Sequence, residues 1–369
     1  MDDFMPIKGI DHVEFYVGNA KQAAHFYHSA FGFAHRAYSG LETGVRERAS
    51  YVMEQGKIRL VLSAALGPDN TISRHVNLHG DGVAVVALAV PDAASAYGEA
   101  TKRGATGAIA PAQQEDEHGV LRYSAVRAYG DTLIKFVDRK DYGGSFAPGY
   151  EASNGWGGDE PQGRHKGYGL AHIDHIVGNV ELGAMNRWVD FFAQTMGFSQ
   201  LLHFDDKDIS TEYSALMSKV MQDGSGKVKF PINEPAEGKR KSQIQEYLDF
   251  YYGPGVQHLA LSTGDIIETV TRLKESGVEF LNVPTTYYDV LEERVGKINE
   301  PVDKLAELGV LVDRDDEGYL LQIFTKPVED RPTLFYEIIE RHGSRGFGKG
   351  NFKALFESIE REQALRGNL

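Results

Sequence analysis

Gly9-Ile10-Asp11-His12-Val13 is echoed far downstream by His172-Ile173-Asp174-His175-Ile176. Each stretch is followed by Gly-Asn, at Gly18-Asn19 and Gly178-Asn179. His25-Phe26-Tyr27 and Asp190-Phe191-Phe192 come next, leading to Phe31-Gly32-Phe33 and Met196-Gly197-Phe198. Further on, Gly82–Leu88 lies over Gly255–Leu261. The helical stretches after these close at Lys102-Arg103-Gly104 and Lys274-Glu275-Ser276-Gly277. Asp131–Phe136 resembles Pro332–Glu337. So many landmarks in one order identify an internal duplication.

Each copy reads as a strand, a helix and further strands, and then the same again. The strands are short and rich in Val, Ile, Leu and Phe. Ala20 to Phe31, Gly183 to Met196 and Ile266 to Ser276 carry apolar residues at helical spacing. Paired units of this kind curl their strands around a central space, so the predicted class is α+β with two similar halves. Glycine and proline crowd the segment between the copies, as in a linker. The expected division is 1–150 for the first domain, 151–168 for the linker and 169–369 for the second, with a C-terminal helix over 350–366.

Composition narrows the chemistry. The chain has 369 residues and no cysteine, which excludes disulfides, thiolate metal ligands and a cysteine nucleophile. Its net charge of −14 suits neither nucleic acid nor an anionic membrane surface. The N-terminus carries no secretory pattern. The longest apolar stretch, Val83 to Val90, is far shorter than the ~20 residues a membrane helix needs. The expected setting is the cytoplasm.

The repeat also ranks the histidines. His175 and His258 fall on two strands of the second half and Glu337 on a third. Laid over the first half, they match His12, Val85 and Phe136. Two imidazoles and a carboxylate from separate strands form a facial triad that leaves metal positions open, suited to Fe(II), although zinc accepts the same ligands. One histidine on a strand more often simply packs in a core. The loss of two of the three ligand types in the sister half favours a specific role here. Strand alternation puts Phe335 on the face of Glu337, and Gln322 on the face of Phe324, as in an aromatic cavity with few polar groups. Asn233 in Phe230–Pro235 and Gln243 in Lys239–Gln245 offer amides to a hydroxyl or carboxylate. After Arg345–Phe352, the residues Phe352, Leu355, Phe356 and Ile359 recur at helical spacing. Gly348 and Gly350 precede them as a joint, and the helix is expected to act as a lid that excludes water.

Phe230–Pro235 (FPINEP), Lys241–Gln245 (KSQIQ), Gly255–Leu261 (GVQHLAL), Leu320–Phe324 (LLQIF), Arg331–Ile339 (RPTLFYEII) and Gly346–Phe356 (GFGKGNFKALF) together resemble the 4-hydroxyphenylpyruvate dioxygenase family of the vicinal oxygen chelate superfamily. The resemblance implies two tandem glyoxalase-like domains of β-α-β-β-β units, the C-terminal one an open barrel holding the metal, the N-terminal one non-catalytic. It implies Fe(II) on His175, His258 and Glu337. The polar catalytic positions fall on Ser218, Asn233, Gln243, Gln257 and Gln322, and the substrate pocket on Phe324, Phe335, Phe347, Asn351 and Phe352. The implied reaction, a step of tyrosine and phenylalanine catabolism, takes 4-hydroxyphenylpyruvate and O2 to homogentisate and CO2. It proceeds by oxidative decarboxylation, ring hydroxylation and side-chain migration. Tyr251 and Tyr336 depart from common versions. The alternatives are 4-hydroxymandelate synthase, which differs at the position of Asn233, and a metal-free small-molecule-binding protein. A homodimer or homotetramer is expected.

Overall fold

Each half of the chain lays its apolar, β-branched stretches into one curled sheet, in the same strand order. A computed structural model describes residues 3–153, 167–204, 215–236 and 238–368. Much of the 151–168 segment therefore lies outside the described residues.

In the first half the order is Gly107–Asp116, Gly119–Arg127, Leu133–Tyr142, Gly82–Ala89, Gly9–Tyr16, Ile58–Ala65, Arg48–Gln55 and Ala34–Ser39. Glu151–Ala152 adds a short edge strand to it. The second half repeats the order with Leu311–Arg314, Tyr319–Phe324, Phe335–His342, Gly255–Thr263, Leu170–Asn179, Lys229–Ala236, Ala215–Gln222 and Ser199–Phe204. In every unit the first strand runs parallel to the last and antiparallel to the first strand of its sister unit. The parallel pairing requires a crossover, which helices such as Ala20–Phe31 and Met185–Met196 supply. The α+β duplication is as expected.

The repeated glycines have a local cause. Gly32 and Gly197 end the paired helices in the left-handed region, at φ 74° and 73°, where a side chain would be strained.

The register corrects one expected correspondence. His12 lies opposite Ala87, and His175 opposite Ala260. Ala87 pairs with Lys135, whereas Ala260 pairs with Glu337. The counterpart of Glu337 is therefore Lys135, not Phe136. Aligning Thr132-Leu133 with Thr333-Leu334 slips the strand by one residue, and a one-residue slip exchanges its two faces.

One apolar core runs through both halves. Tyr27 and Tyr336 join their hydroxyls across it at 2.7 Å, and Phe31 packs on Tyr336 at 5.0 Å between ring centroids. His79 stacks on Tyr251 at 4.3 Å and donates to its carbonyl. Both tyrosines that depart from the family pattern thus serve the contact between halves and point away from the metal ligands.

Candidate metal centre and its cavity

His175, His258 and Glu337 stand on three adjacent strands, Leu170–Asn179, Gly255–Thr263 and Phe335–His342. All three side chains are buried. One ligand atom from each lies within 4.8 Å of the other two. His175 Nε2 is 3.1 Å from Glu337 Oε2, and His258 Nε2 is 3.5 Å from the same oxygen.

The opposite ring nitrogens are already engaged. His175 Nδ1 lies 2.8 Å from Asp174 Oδ1, and His258 Nδ1 lies 3.0 Å from Gln257 Oε1. Partners that accept from Nδ1–H leave Nε2 as the lone-pair donor on both rings, which is how neutral histidine is prepared for a metal. Arg341 in turn grips Asp174 with two hydrogen bonds of 2.8 Å, from Nε and Nη2.

Electrostatics couple the same three groups. Burial disfavours the Glu337 carboxylate, but the two imidazoles outweigh it and hold its pKa down to about 2. Burial pushes the His258 pKa down. On His175 burial acts in the same direction, yet Glu337 and Asp174 raise it overall. An anionic carboxylate facing two aligned imidazole nitrogens is a donor set suited to a divalent cation of intermediate softness. The residues present therefore fit a metal. Another cluster of ligand-type groups among the described residues, Glu300, Glu340 and His342, is largely satisfied internally. His342 Nε2 lies 3.0 Å from each glutamate, and Glu340 caps the Ile266 backbone N–H at 2.7 Å.

The cavity beside the triad is walled by aromatic rings. Phe335 stacks on His258 at 4.7 Å, and Phe324 meets the same ring edge-on at 6.2 Å. Phe347 packs edge-on against His175 at 4.9 Å. Phe352, Leu355, Phe356 and Ile359 cover the cavity from the C-terminal helix, Phe352–Leu365. Ser218, Asn233, Gln243 and Gln257 supply polar atoms to the lining. Ser218 and Asn233 are directly opposed on neighbouring strands. Gln243 is in the first turn of the helix Gln243–Tyr251, which Ser242 caps.

Two further expected residues lie at the glycine joint, between the lining residues Phe347 and Phe352. Gln322 is buried beneath the glycine joint: a Cβ on Gly348 would come within 2.2 Å of its Nε2. Neither end of its amide has a hydrogen-bond partner among the described residues. Asn351 is buried at the same joint, accepting from the Tyr287 hydroxyl at 2.7 Å. Gln257 does line the cavity, but its carbonyl oxygen also holds a metal-ligand ring. Sequence reasoning missed Asp174 and Arg341. Their signal was present in the Asp-His dipeptide common to both copies.

Residues 1–148 match the model described as "Hydroxyphenylpyruvate dioxygenase, HPPD, N-terminal". Residues 169–323 match the "Glyoxalase/Bleomycin resistance protein/Dioxygenase superfamily". A 4-hydroxyphenylpyruvate dioxygenase of Tetrahymena thermophila is 50% identical, over 98% of this chain and 91% of that protein. One from Dictyostelium discoideum is 48% identical, over 98% of this chain and 100% of its own. Among solved structures, a mutant 4-hydroxymandelate synthase from Streptomyces coelicolor superposes with a TM-score of 0.86 at 32% identity, covering 97% of this chain and 100% of that one. On these similarities, the chain belongs to the 4-hydroxyphenylpyruvate dioxygenase family.

Proposed function

We propose that this chain converts 4-hydroxyphenylpyruvate and O2 to homogentisate and CO2, with Fe(II) on His175, His258 and Glu337. The observation that carries the reading is the convergence of those three ligand atoms at the end of an aromatic cavity that holds only a few polar groups. Bound there, iron supplies open positions at which the substrate's 2-oxo acid and O2 meet.

The chain's own residues bind and aim the substrate. Phe324 and Phe335 give the ring two faces to pack on while buttressing His258. Ser218, Asn233 and Gln243 supply the polar atoms that orient a hydroxyl or carboxylate in an otherwise apolar wall. Asp174 and Gln257 keep both imidazoles in the tautomer that faces the metal. The C-terminal helix excludes water from the reacting groups. The free space under it is about 80 Å³. Ligand pockets commonly offer roughly 300–1000 Å³, so the cavity must widen to admit an arylpyruvate.

In this proposal the first half, 1–150, is a non-catalytic scaffold, and 169–369 carries the chemistry. Family membership is also the ground for expecting a homo-oligomer in the cytoplasm. Among the described residues no helix is long and apolar enough to cross a membrane.

A second reading is 4-hydroxymandelate synthase, favoured by the close superposition on one. Asn233, in the stretch that resembles the dioxygenase family, argues for homogentisate. The test is to load the protein with Fe(II) without oxygen, add 4-hydroxyphenylpyruvate and air, and identify the product. Homogentisate with matched oxygen uptake and CO2 release is expected. Release of 4-hydroxymandelate would replace the reading with the second, and no uptake would favour a metal-free binding protein.

A further inference from the structure

The duplication kept more than the fold: it kept a cavity. A pocket of about 310 Å³ opens in the concave face of the first half. The strand registers place its wall, residue by residue, over the wall of the catalytic cavity. Glu14 corresponds to Val177 and Val85 to His258. Leu133 corresponds to Phe335 and Lys135 to Glu337. Ala125 corresponds to Phe324. Arg48 corresponds to Leu216. All six first-half residues line the pocket.

The charge at the centre is reversed. Where the second half presents a carboxylate, the first presents the Lys135 ammonium. Lys135 is half-buried and its Nζ stands 4.9 Å from the centroid of the Tyr123 ring. It makes no hydrogen bond among the described residues. The neighbouring carboxylate is already matched: Glu14 accepts from Ser63 Oγ at 2.7 Å and lies 3.6 Å from Arg48 Nη1. Burial lowers the Lys135 pKa, with Glu14 opposing the shift. An ammonium partly stripped of water, without a hydrogen-bond acceptor, gains from an anion placed beside it. The surrounding wall of Val85, Leu133, Ala125, Ile72 and Ile109 suits an apolar body behind that anion.

We propose that the N-terminal cavity is a second small-molecule site, which takes an organic monocarboxylate with its carboxylate on Lys135 and its apolar body against Val85 and Leu133. The first half would then have exchanged a metal-held ligand for one held by a built-in cation. Nothing in this depends on the reaction of the second half.

The probe is 4-bromobenzoate, whose bromine is located by anomalous scattering. Crystals of the iron-loaded full chain are soaked with it, and binding is titrated in solution. A bromine peak in the N-terminal cavity is expected, with the carboxylate at hydrogen-bond distance from Lys135. Lys135→Met should remove that peak and weaken the corresponding solution binding at least about tenfold, as loss of a charge-assisted hydrogen bond implies. Lys135→Arg should retain the site. His258→Ala should leave the N-terminal peak in place, which separates it from any binding in the catalytic cavity. If Lys135→Met fails to fold, Val85→Phe, which fills the pocket with Lys135 intact, should abolish the peak instead. An empty N-terminal cavity in the soaked wild type would overturn the proposal. So would a peak that persists unchanged in Lys135→Met, or binding at crystal concentration with none in solution up to about 10 mM.

Discussion

The two halves share one bracing unit and differ in what stands beside it. In the second half Arg341 clasps Asp174, Asp174 holds His175, and Arg341 donates to the Gly346 carbonyl at 2.7 Å, next to Phe347, which packs on His175. In the first half Arg139 clasps Asp11 at 2.7 and 2.9 Å and Asp11 holds His12 at 2.6 Å. Arg139 also donates to the Phe146 carbonyl, and Phe146 packs on His12 at 5.1 Å. The unit persists where no triad exists, so its first duty is to tie the sheet to the loop that follows its last catalytic-type strand. At the ligand positions themselves, Val85 and Lys135 stand in place of His258 and Glu337 beside the braced histidine.

Supplying the missing ligands to the first half has the largest expected effect. The double variant Val85→His, Lys135→Glu places the second-half ligand types beside the already braced His12. A second divalent metal per chain is expected, read by metal analysis after dialysis. Failure to gain any metal would mean that two positions do not account for the difference.

The brace itself gives the next largest effect. Asp174→Asn keeps the shape but loses the charged acceptor for His175, and partners of this kind are worth about 10–100-fold in metal affinity. Asp11→Asn should leave metal affinity and kcat alone and act on stability, since it weakens a buried pair with Arg139. Equal losses of affinity in both variants would contradict the division between halves.

The smallest effect lies at their junction. Burial, with the charge of Asp81 across the contact, raises the Glu329 pKa well above the ordinary carboxylate value. A raised folded-state pKa means that the folded chain binds the extra proton. Its stabilising effect is present at low pH and is lost as pH rises through the folded pKa. Glu329→Gln should therefore flatten the fall in Tm as pH rises above the ordinary carboxylate range, with little change in activity. An unchanged slope would show that the carboxyl is not held protonated.

Much of this was legible in the sequence because duplication acts as an internal control. His175, His258 and Glu337 emerged because their counterparts are not all ligand types. The aromatic wall followed from strand alternation around Phe324 and Phe335. What escaped depended on register and on side-chain direction. Setting Glu337 against Phe136 involves a one-residue slip that is invisible without the hydrogen-bond ladder, and the slip conceals Lys135. Gln322 shares a strand face with Phe324, and that its amide ends beneath Gly348 follows only from the folded chain. Arg341 lies far along the chain from Asp174, and only the folded sheet joins them.

Anaerobic titration of the full chain with Fe(II), counting tightly bound iron, decides which half holds the metal. One iron per chain is predicted for the wild type and none for His258→Ala, with the fold retained by circular dichroism. Two irons per chain, or tight iron undiminished in His258→Ala, would contradict the assignment of the metal to the second half alone.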